Sequence, residues 1–422
     1  MNTLARSLTT RDAVAVGLSS MIGAGVFAAF GPAAQAVLPT GTGAALLIAL
    51  ALAALVAYAN ATSSAQLAAQ YPTSGGTYLY GRERLGPWWG YLAGWGFVVG
   101  KTASCAAMAL TFATYAAPPG WERPVAAAAV IALAAVNYCG VTRTARLARW
   151  IVSLVLLALA ITVTVALGSG KPDWSQVGHG DGGAGLLGGP AGWYGVLQAA
   201  GLLFFAFAGY ARIATMGEEV RDPQRAIPRA IVLALGGVVA LYAVIAVSLL
   251  AVLGLPGIAG ASAPVADAVA ATPWASAVVR MGAAAASLGA LLALVAGIGR
   301  TSLAMAREGD LPRGLAAVHP RFGVPHRAEV AVAIVLILLV LTVDLRGAIG
   351  FSSFGVLVYY AVANLSAWTQ SGVHRRFPRV LQAVGQIGCV ILCTTLPATA
   401  VLAGIVVFAV GLGLRAVRVR AG

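Results

Sequence analysis

The chain has 422 residues, of which 60% are hydrophobic and only 9% are charged, and its formal net charge is +14. Soluble domains carry about 25% charged residues, so this composition excludes a soluble enzyme, a disordered chain, a collagen-like fibre and a secreted disulfide scaffold. Runs of about 20 apolar residues recur along the chain, which indicates a polytopic membrane protein.

Hydropathy predicts an all-α integral membrane protein with twelve spanning helices, because unpaired backbone cannot face lipid. In chain order, helices 1 to 12 are predicted at about residues 12–36, 42–70, 88–116, 124–140, 147–168, 193–216, 228–253, 274–306, 328–344, 347–369, 380–395 and 397–415. The first apolar stretch continues into this multispan pattern, so we expect no cleavable signal peptide.

These helices divide the chain into four parts. Residues 1–168 hold helices 1–5, and residues 169–192 form a Gly-rich external loop. Residues 193–369 hold helices 6–10, and residues 370–422 hold helices 11 and 12 with a basic cytoplasmic tail.

The basic residues predict the orientation in the membrane. With the N-terminus placed in the cytoplasm, 21 of the 27 basic residues fall in cytoplasmic segments and 4 in external ones, as the positive-inside rule requires. We therefore expect a multi-pass cell-membrane protein with both termini cytoplasmic. The arginines are scattered over short loops, which argues against a nucleic-acid partner. The sequence leaves the oligomeric state open.

Two helices carry glycine near their middle, at corresponding places in the two halves. Helix 1 reads GLSSMIGAGVFAAFGP, with Gly23 and Gly25 on either side of Ala24, and helix 6 reads LLFFAFAGYARIATMGEE, with Gly209. Helices 6–10 start on the opposite side of the membrane from helices 1–5, because five is odd. Paired interruptions of this kind are typical of a midplane transporter site, although glycine also serves close helix packing.

An interrupted helix offers backbone groups to a ligand. Amides at the start of the following half-helix bind a carboxylate, and carbonyls at the end of the preceding half-helix bind an ammonium. Two such interruptions at the midplane would bind the zwitterionic backbone of an amino acid without any charged side chain.

The chain resembles the permeases of the amino acid–polyamine–organocation (APC) superfamily over essentially its whole length. The resemblance is carried by GLSSMIGAGVF in helix 1, FFAFAGYARIATMGEEVRDPQRAIPRAI around helix 6, and GRTSLAMAREGDLP followed by AAVHPRFGVP after helix 8. It implies a LeuT-like five-plus-five inverted repeat with broken helices 1 and 6, two extra helices, and secondary active transport.

The resemblance also implies roles for particular residues. Gly23, Ala24 and Gly25 would offer amides to the substrate carboxylate. The carbonyls of Met21, Phe205 and Ala208 would take the substrate ammonium, and the Phe205 ring would cover the substrate. The residues implied at the two breaks are Met21, Ile22, Gly23, Ala24, Gly25, Phe205, Ala208 and Gly209.

Two cations are predicted inside the membrane, Lys101 in helix 3 and Arg212 just past the helix 6 break, whereas all 13 acidic residues fall in loops or at helix ends. An intramembrane cation is costly and points to function unless it snorkels to the interface. Lys101 could change its protonation state during transport, or bind an anionic side chain or the substrate carboxylate. A cation there would repel cationic substrates.

The coupling device usual in the family is missing. Many proton-coupled or sodium-independent members place a lysine in helix 5, whose ammonium stands in for a sodium ion, and Val155 occupies that position here. Lys101 and Arg212 are therefore candidates for coupling. Ser287 is a candidate for the alternative in which sodium drives transport.

Charged residues gather at the predicted cytoplasmic ends of helices 6 and 8. They form either an inner gate of ion pairs or a solvated loop with weak surface pairs. The gate candidates are Glu218, Glu219, Arg225, Arg300 and Arg307, with Glu308 beside them.

We therefore predict an amino acid permease that works by alternating access with proton coupling. An amino acid or amine exchanger and a sodium-coupled symporter of the same fold remain open alternatives. An intramembrane enzyme and a channel are disfavoured, because every histidine lies in a loop and no ring of filter residues is evident. We expect no cofactor and no metal, and we expect Cys105, Cys139, Cys389 and Cys393 to serve as apolar packing residues.

Overall fold

The computed structural model describes residues 8–72, 75–140, 145–169, 172–178, 189–217 and 219–421. Over these ranges the chain is helical, and its one β-feature is an isolated parallel bridge between Leu8 and Val220. The α-helices in chain order are α1 Thr10–Met21, α2 Gly25–Ala28, α3 Phe30–Val37, α4 Gly43–Gln70, α5 Gly76–Leu85, α6 Pro87–Ala116, α7 Glu122–Tyr138, α8 Ala145–Ser169, α9 Ser175–Gly178, α10 Pro190–Phe207, α11 Ala211–Ala214, α12 Pro223–Gly260, α13 Pro264–Asp267, α14 Pro273–Arg307, α15 His326–Thr342, α16 Leu345–Trp368, α17 Arg379–Thr395 and α18 Ala398–Ala421.

Each of the twelve predicted apolar segments is helical in the structure. Within the described ranges, nine helical stretches are long and apolar enough to cross a membrane. The predicted helices 4, 9 and 11 correspond to α7, α15 and α17, which have 17 residues each. A helix of that length rises about 26 Å, slightly less than the hydrocarbon core of about 30 Å.

Three described helices are absent from the hydropathy prediction. They are α5 between helices 2 and 3, α9 within the Gly-rich loop and α13 between helices 7 and 8. The segment GTYLYGRERL of α5 carries three charges, so it does not register as a span. Predicted helix 7 ends at residue 253, and the structure places a non-helical Gly254 with φ 66° there before α12 continues to Gly260.

The broken helices are held in the centre of the bundle. Helix α1 packs against α8 and α12, α10 packs against α3, α4 and α16, and α6 packs against α14 and α16. Helices α6 and α16 approach closely where Gly100 faces Gly355. A Cβ on Gly355 would lie only 2.8 Å from the Cα of Gly100. Small residues at such a crossing allow the backbones to meet.

The cysteines differ from one another in burial. Cys105 and Cys389 are buried, as expected for packing residues, and Cys393 is partly buried. Cys139 is exposed where α7 ends, so the prediction of apolar packing is wrong for this residue.

Candidate functional site

Helix 1 is interrupted where its glycines predict a break. Helix α1 ends at Met21 and α2 begins at Gly25, so Ile22, Gly23 and Ala24 lie outside regular helix. The first amides of a helix have no acceptor within that helix. The break therefore presents backbone donors in the interior of the protein, where all five of these residues are buried.

Helix 6 is interrupted at the corresponding place. Helix α10 ends at Phe207, residues Ala208–Tyr210 form a single 3-10 turn, and the four-residue α11 follows. The tighter turn ends the regular i to i−4 hydrogen bonding of α10 and leaves carbonyls near its end to other partners.

The two breaks lie against each other. A Cβ on Gly25 would stand 2.6 Å from the Cα of Ala206, and a Cβ on Gly209 would overlap the carbonyl of Ser20. Only glycine fits at either place without moving the other helix. Gly25 and Gly209 therefore do both: they lie at the helix breaks, and they allow the two helices to pack closely there.

A tyrosine from α12 joins the two breaks. The hydroxyl of Tyr242 lies 2.7 Å from the carbonyl oxygen of Met21 and 3.2 Å from that of Ala206. It is buried, and its ring packs on Phe207 with centroids 5.1 Å apart. Sequence reasoning did not single out Tyr242, because a tyrosine in an apolar run gives no sign of its partners.

Lys101 reaches the helix 6 break from the middle of α6. Its Nζ donates a hydrogen bond to the carbonyl oxygen of Ala208 at 3.2 Å, and the hydroxyl of Tyr360 donates to the same oxygen at 3.2 Å. Lys101 is only 8% exposed. Over the part of the chain that the structure describes, no carboxylate forms an ion pair with it.

The three phenylalanines of α10 differ in their surroundings. Phe204 and Phe207 make edge or tilted ring contacts with Tyr360 and Tyr242, which identifies them as packing residues. Phe205 is 7% exposed and lies one turn before the break.

Val155 faces the helix 1 break across a small cavity. The cavity has a volume of about 10 Å³ and is lined by Val155 on α8, Ile22 and Gly23 at the break, and Ala286 on α14. Such a volume is about the least that can hold one water molecule. The neighbouring Ser287 is fully buried, and its hydroxyl has no hydrogen-bond partner among the described residues.

Arg212 lies in α11, where its guanidinium is 3.5 Å from the hydroxyl of Thr215. Glu219 and Arg300 are close enough to act on it electrostatically. The proposed gate residue Glu218 lies outside the described residues. Arg225 and Arg307 are exposed, and the described ion pairs do not include them.

The ion pairs at the end of α14 join Glu308 and Asp310 to arginines outside the predicted gate group. Arg82 on α5 lies 3.0 Å from Glu308 and 3.1 Å from Asp310, and Arg415 on α18 lies 3.0 Å from Asp310. Tyr78 donates to Asp310 at 2.8 Å, and burial together with this hydrogen bond raises the pKa of the Tyr78 phenol. Arg82, Asp310 and Arg415 were not predicted, because they are far apart in the sequence.

The segment after helix 6 pairs with the N-terminal segment. The amide of Leu8 donates to the carbonyl of Glu219 at 3.0 Å, and the amide of Arg221 donates to that of Leu8 at 2.9 Å. Gly217 meets the backbone of Pro72 so closely that a Cβ would overlap it. The chain preceding helix 1 is thereby tied to the chain leaving helix 6.

Comparison with known proteins places the chain among transporters. The model of the amino acid permease family matches residues 8–417. An uncharacterized transporter of Mycobacterium tuberculosis is 57% identical over 417 residues, covering 98% of this chain and 92% of its own length.

More distant relatives carry different substrate names. A methylthioribose transporter of Bacillus subtilis is 29% identical over 87% of this chain and 79% of its own length. A branched-chain amino acid permease of the same organism is 26% identical over 77% of this chain and 72% of its own length. The family match and the 57% identity confirm the resemblance, and the chain belongs to the amino acid permease family of the APC superfamily.

Proposed function

We propose that this membrane transporter moves amino acids across the cell membrane by alternating access, and that it binds them at the junction of the two helix breaks. The observation that carries the proposal is the contact between Gly25 and Ala206, which brings both interruptions together in the interior. A single small ligand at this junction would touch the backbone of both helices.

The architecture we propose is the LeuT-like five-plus-five inverted repeat followed by two further helices, with twelve spans in all. Its support is the position of the interruptions in the first helix of each half and the helical state of all twelve apolar segments. The three 17-residue helices would span with the help of their polar flanks. The arginine distribution supports cytoplasmic termini.

Substrate recognition would use backbone groups. The amides of Gly23, Ala24 and Gly25 would bind the substrate carboxylate. The carbonyls of Met21, Phe205 and Ala208 would bind its ammonium, with the ring of Phe205 above it. Two of these carbonyls already accept hydrogen bonds, one from Tyr242 and one from Lys101.

This occupancy suggests how Lys101 works. Its ammonium lies where the substrate ammonium would bind, so the two cations compete for the carbonyl of Ala208. The substrate would displace the Lys101 ammonium, which would then either bind the substrate carboxylate or release a proton. Proton release from Lys101 would link transport to the pH gradient.

The positions of Val155 and Ser287 also bear on which ion drives transport. Val155 sets an apolar side chain against the helix 1 break, where the family resemblance expects a lysine ammonium. A sodium-driven cycle would instead use the hydroxyl of Ser287, which has no hydrogen-bond partner among the described residues, with nearby carbonyls. We favour Lys101, because it is the group that directly contacts the break. The second candidate mechanism is the exchange of internal for external substrate without a driving ion.

The inner gate we propose is the contact between the N-terminal segment and the segment after helix 6. The backbone pairing of Leu8 with Glu219 and Arg221 would have to open when the site faces the cytoplasm. Glu219 and Arg300 act electrostatically on Arg212, and these three residues would change their contacts in that step.

A thermal-shift screen of the purified protein against twenty amino acids and common amines tests the proposal. We expect neutral or anionic amino acids to raise the unfolding midpoint and to compete for uptake in proteoliposomes. Arginine, lysine and agmatine should compete poorly, because Lys101 repels a second cation. Competition by arginine with none by neutral amino acids would contradict this substrate class.

A further inference from the structure

A second group of polar side chains lies away from the helix breaks, between α4, α16 and α17. We call it the amide cluster, and it consists of Asn60, Asn364, Gln382 and Gln386. Asn60 is fully buried, and Asn364 and Gln382 are each 1% exposed. Uncharged amides at such depth are rarely left without hydrogen-bond partners.

The hydrogen bonds within the amide cluster are incomplete. Asn364 donates to the side-chain oxygen of Asn60 at 2.7 Å, and the thiol of Cys389 donates to the same oxygen at 3.4 Å. Over the described residues, the side-chain nitrogen of Asn60, the side-chain oxygens of Asn364 and Gln386, and both amide atoms of Gln382 have no partner. Burying polar atoms in this state is unfavourable unless something binds them.

A cavity lies against three members of the amide cluster, and their unpaired atoms are buried just behind its wall, so a side chain must turn for them to meet a ligand. The volume of the cavity is about 270 Å³, well above the roughly 150 Å³ of an engineered apolar cavity that admits benzene. Three members of the amide cluster line one part of it, and apolar side chains line the rest, including Leu365, Trp368 and Ile387. No ionisable side chain is among the described residues that line it.

The apolar part of the cavity lies at the outer surface of the helix bundle. Trp368 is 44% exposed and Ile387 is 59% exposed, and exposed apolar side chains on spanning helices contact lipid. The guanidinium of Arg379 lies 5.4 Å from the Trp368 ring centroid. Tryptophan and arginine together are typical of the membrane interface, so a lipid at headgroup depth can reach the cavity.

We propose that the amide cluster binds the hydroxyl-bearing headgroup of an uncharged lipid, with the acyl chain lying along Trp368 and Ile387. A hydroxyl group both donates and accepts hydrogen bonds, as the unpaired amide atoms require. A charged headgroup in the amide cluster would be buried away from Arg379, which lies on the Trp368 ring and is not among the residues that line the cavity, and such burial is unfavourable. The amide cluster shares no residue with the proposed amino acid site, so either proposal can fail alone.

The test is the thermal unfolding midpoint of the full-length protein in detergent micelles with four added probes. They are 1-monooleoylglycerol, methyl oleate, oleate and free glycerol. We expect a saturable rise with 1-monooleoylglycerol and none with the other three, which lack either the hydroxyls or the acyl chain. An equal rise of the midpoint with methyl oleate would show that the amide cluster does not bind the hydroxyls. A rise with glycerol alone would show that the ligand needs no acyl chain and is not a lipid.

Variants locate the effect. Gln382→Leu removes both unpaired amide atoms at nearly constant size, so it should fold and lose the response to 1-monooleoylglycerol. Gln224→Leu changes an exposed glutamine outside the cavity, and this variant should keep the response to 1-monooleoylglycerol. A response unchanged in Gln382→Leu would overturn the proposal. If Gln382→Leu does not fold, Gln386→Leu at the partly buried rim decides in the same way.

Discussion

The ammonium of Lys101 lies 3.2 Å from the carbonyl oxygen of Ala208, at the break in helix 6. The two residues are 107 positions apart in the sequence. The contact fills the place that the family resemblance gives to a substrate ammonium, and it does so without a paired carboxylate among the described residues. A substrate ammonium bound there would have to compete with Lys101 for the Ala208 carbonyl.

The first prediction concerns the junction of the breaks. Gly25→Ala and Gly209→Ala should each abolish substrate binding, because the added methyl would push the two broken helices apart. Gly236→Ala is the matched control, since a Cβ there meets nothing within 4 Å and should gain about 1 kcal/mol of helix propensity. Ligand-induced thermal shifts measure the effect, and normal binding by both junction variants would contradict the backbone-receptor account.

The second prediction concerns coupling. Lys101→Arg keeps a cation but removes a group that can release a proton, because arginine stays protonated in proteins. Proteoliposomes with this variant should still exchange internal for external substrate, but they should not accumulate substrate in response to a pH gradient.

Lys101→Met serves as the comparison for that measurement. If Lys101 carries the proton, Met should likewise retain exchange and lose accumulation. Weakened binding at every pH, with the pH dependence of uptake unchanged, would instead assign Lys101 to substrate contact. Accumulation that survives in both variants would place coupling elsewhere and would make Ser287 the next residue to change.

The third prediction concerns the ion pairs at the end of α14. Asp310 is 4% exposed and pairs with both Arg82 and Arg415. Asp310→Asn leaves Arg415 buried without its counter-charge, so it should cost about 3–5 kcal/mol. Glu308→Gln is the control, because its side chain is 53% exposed and an exposed pair contributes about 0–1 kcal/mol. Equal unfolding midpoints for the two variants would show that the buried pair of Asp310 and Arg415 contributes no more to stability than the exposed pair of Glu308 and Arg82.

Hydropathy and glycine position predict much of this fold. Bilayer thickness and backbone hydrogen bonding dictate long apolar helices, so each predicted segment is found helical. The breaks are predicted because Gly25 and Gly209 are poor residues for a helix interior. Hydropathy does not predict helix α5, because its mixed charged and apolar segment has neither the length nor the hydropathy of a membrane span.

The side-chain contacts of the site are less accessible from sequence. The sequence predicts Lys101 inside the membrane but not its partner, because a backbone carbonyl freed by a 3-10 turn leaves no residue-type signal. The hydroxyl of Tyr242 and the network around Asp310 depend on which helices meet. Such pairings follow from tertiary packing rather than from local pattern.

The most direct test compares an amino acid with its 2-hydroxy acid analogue, which lacks the amino group. Calorimetry would measure both affinities, using the amino acid that gives the largest thermal shift, on the wild type and on Lys101→Met. If the substrate ammonium competes with Lys101 for the Ala208 carbonyl, Lys101→Met should raise the affinity ratio of amino acid to analogue. An unchanged ratio, with both affinities lowered equally, would contradict the competition and place Lys101 on the carboxylate alone.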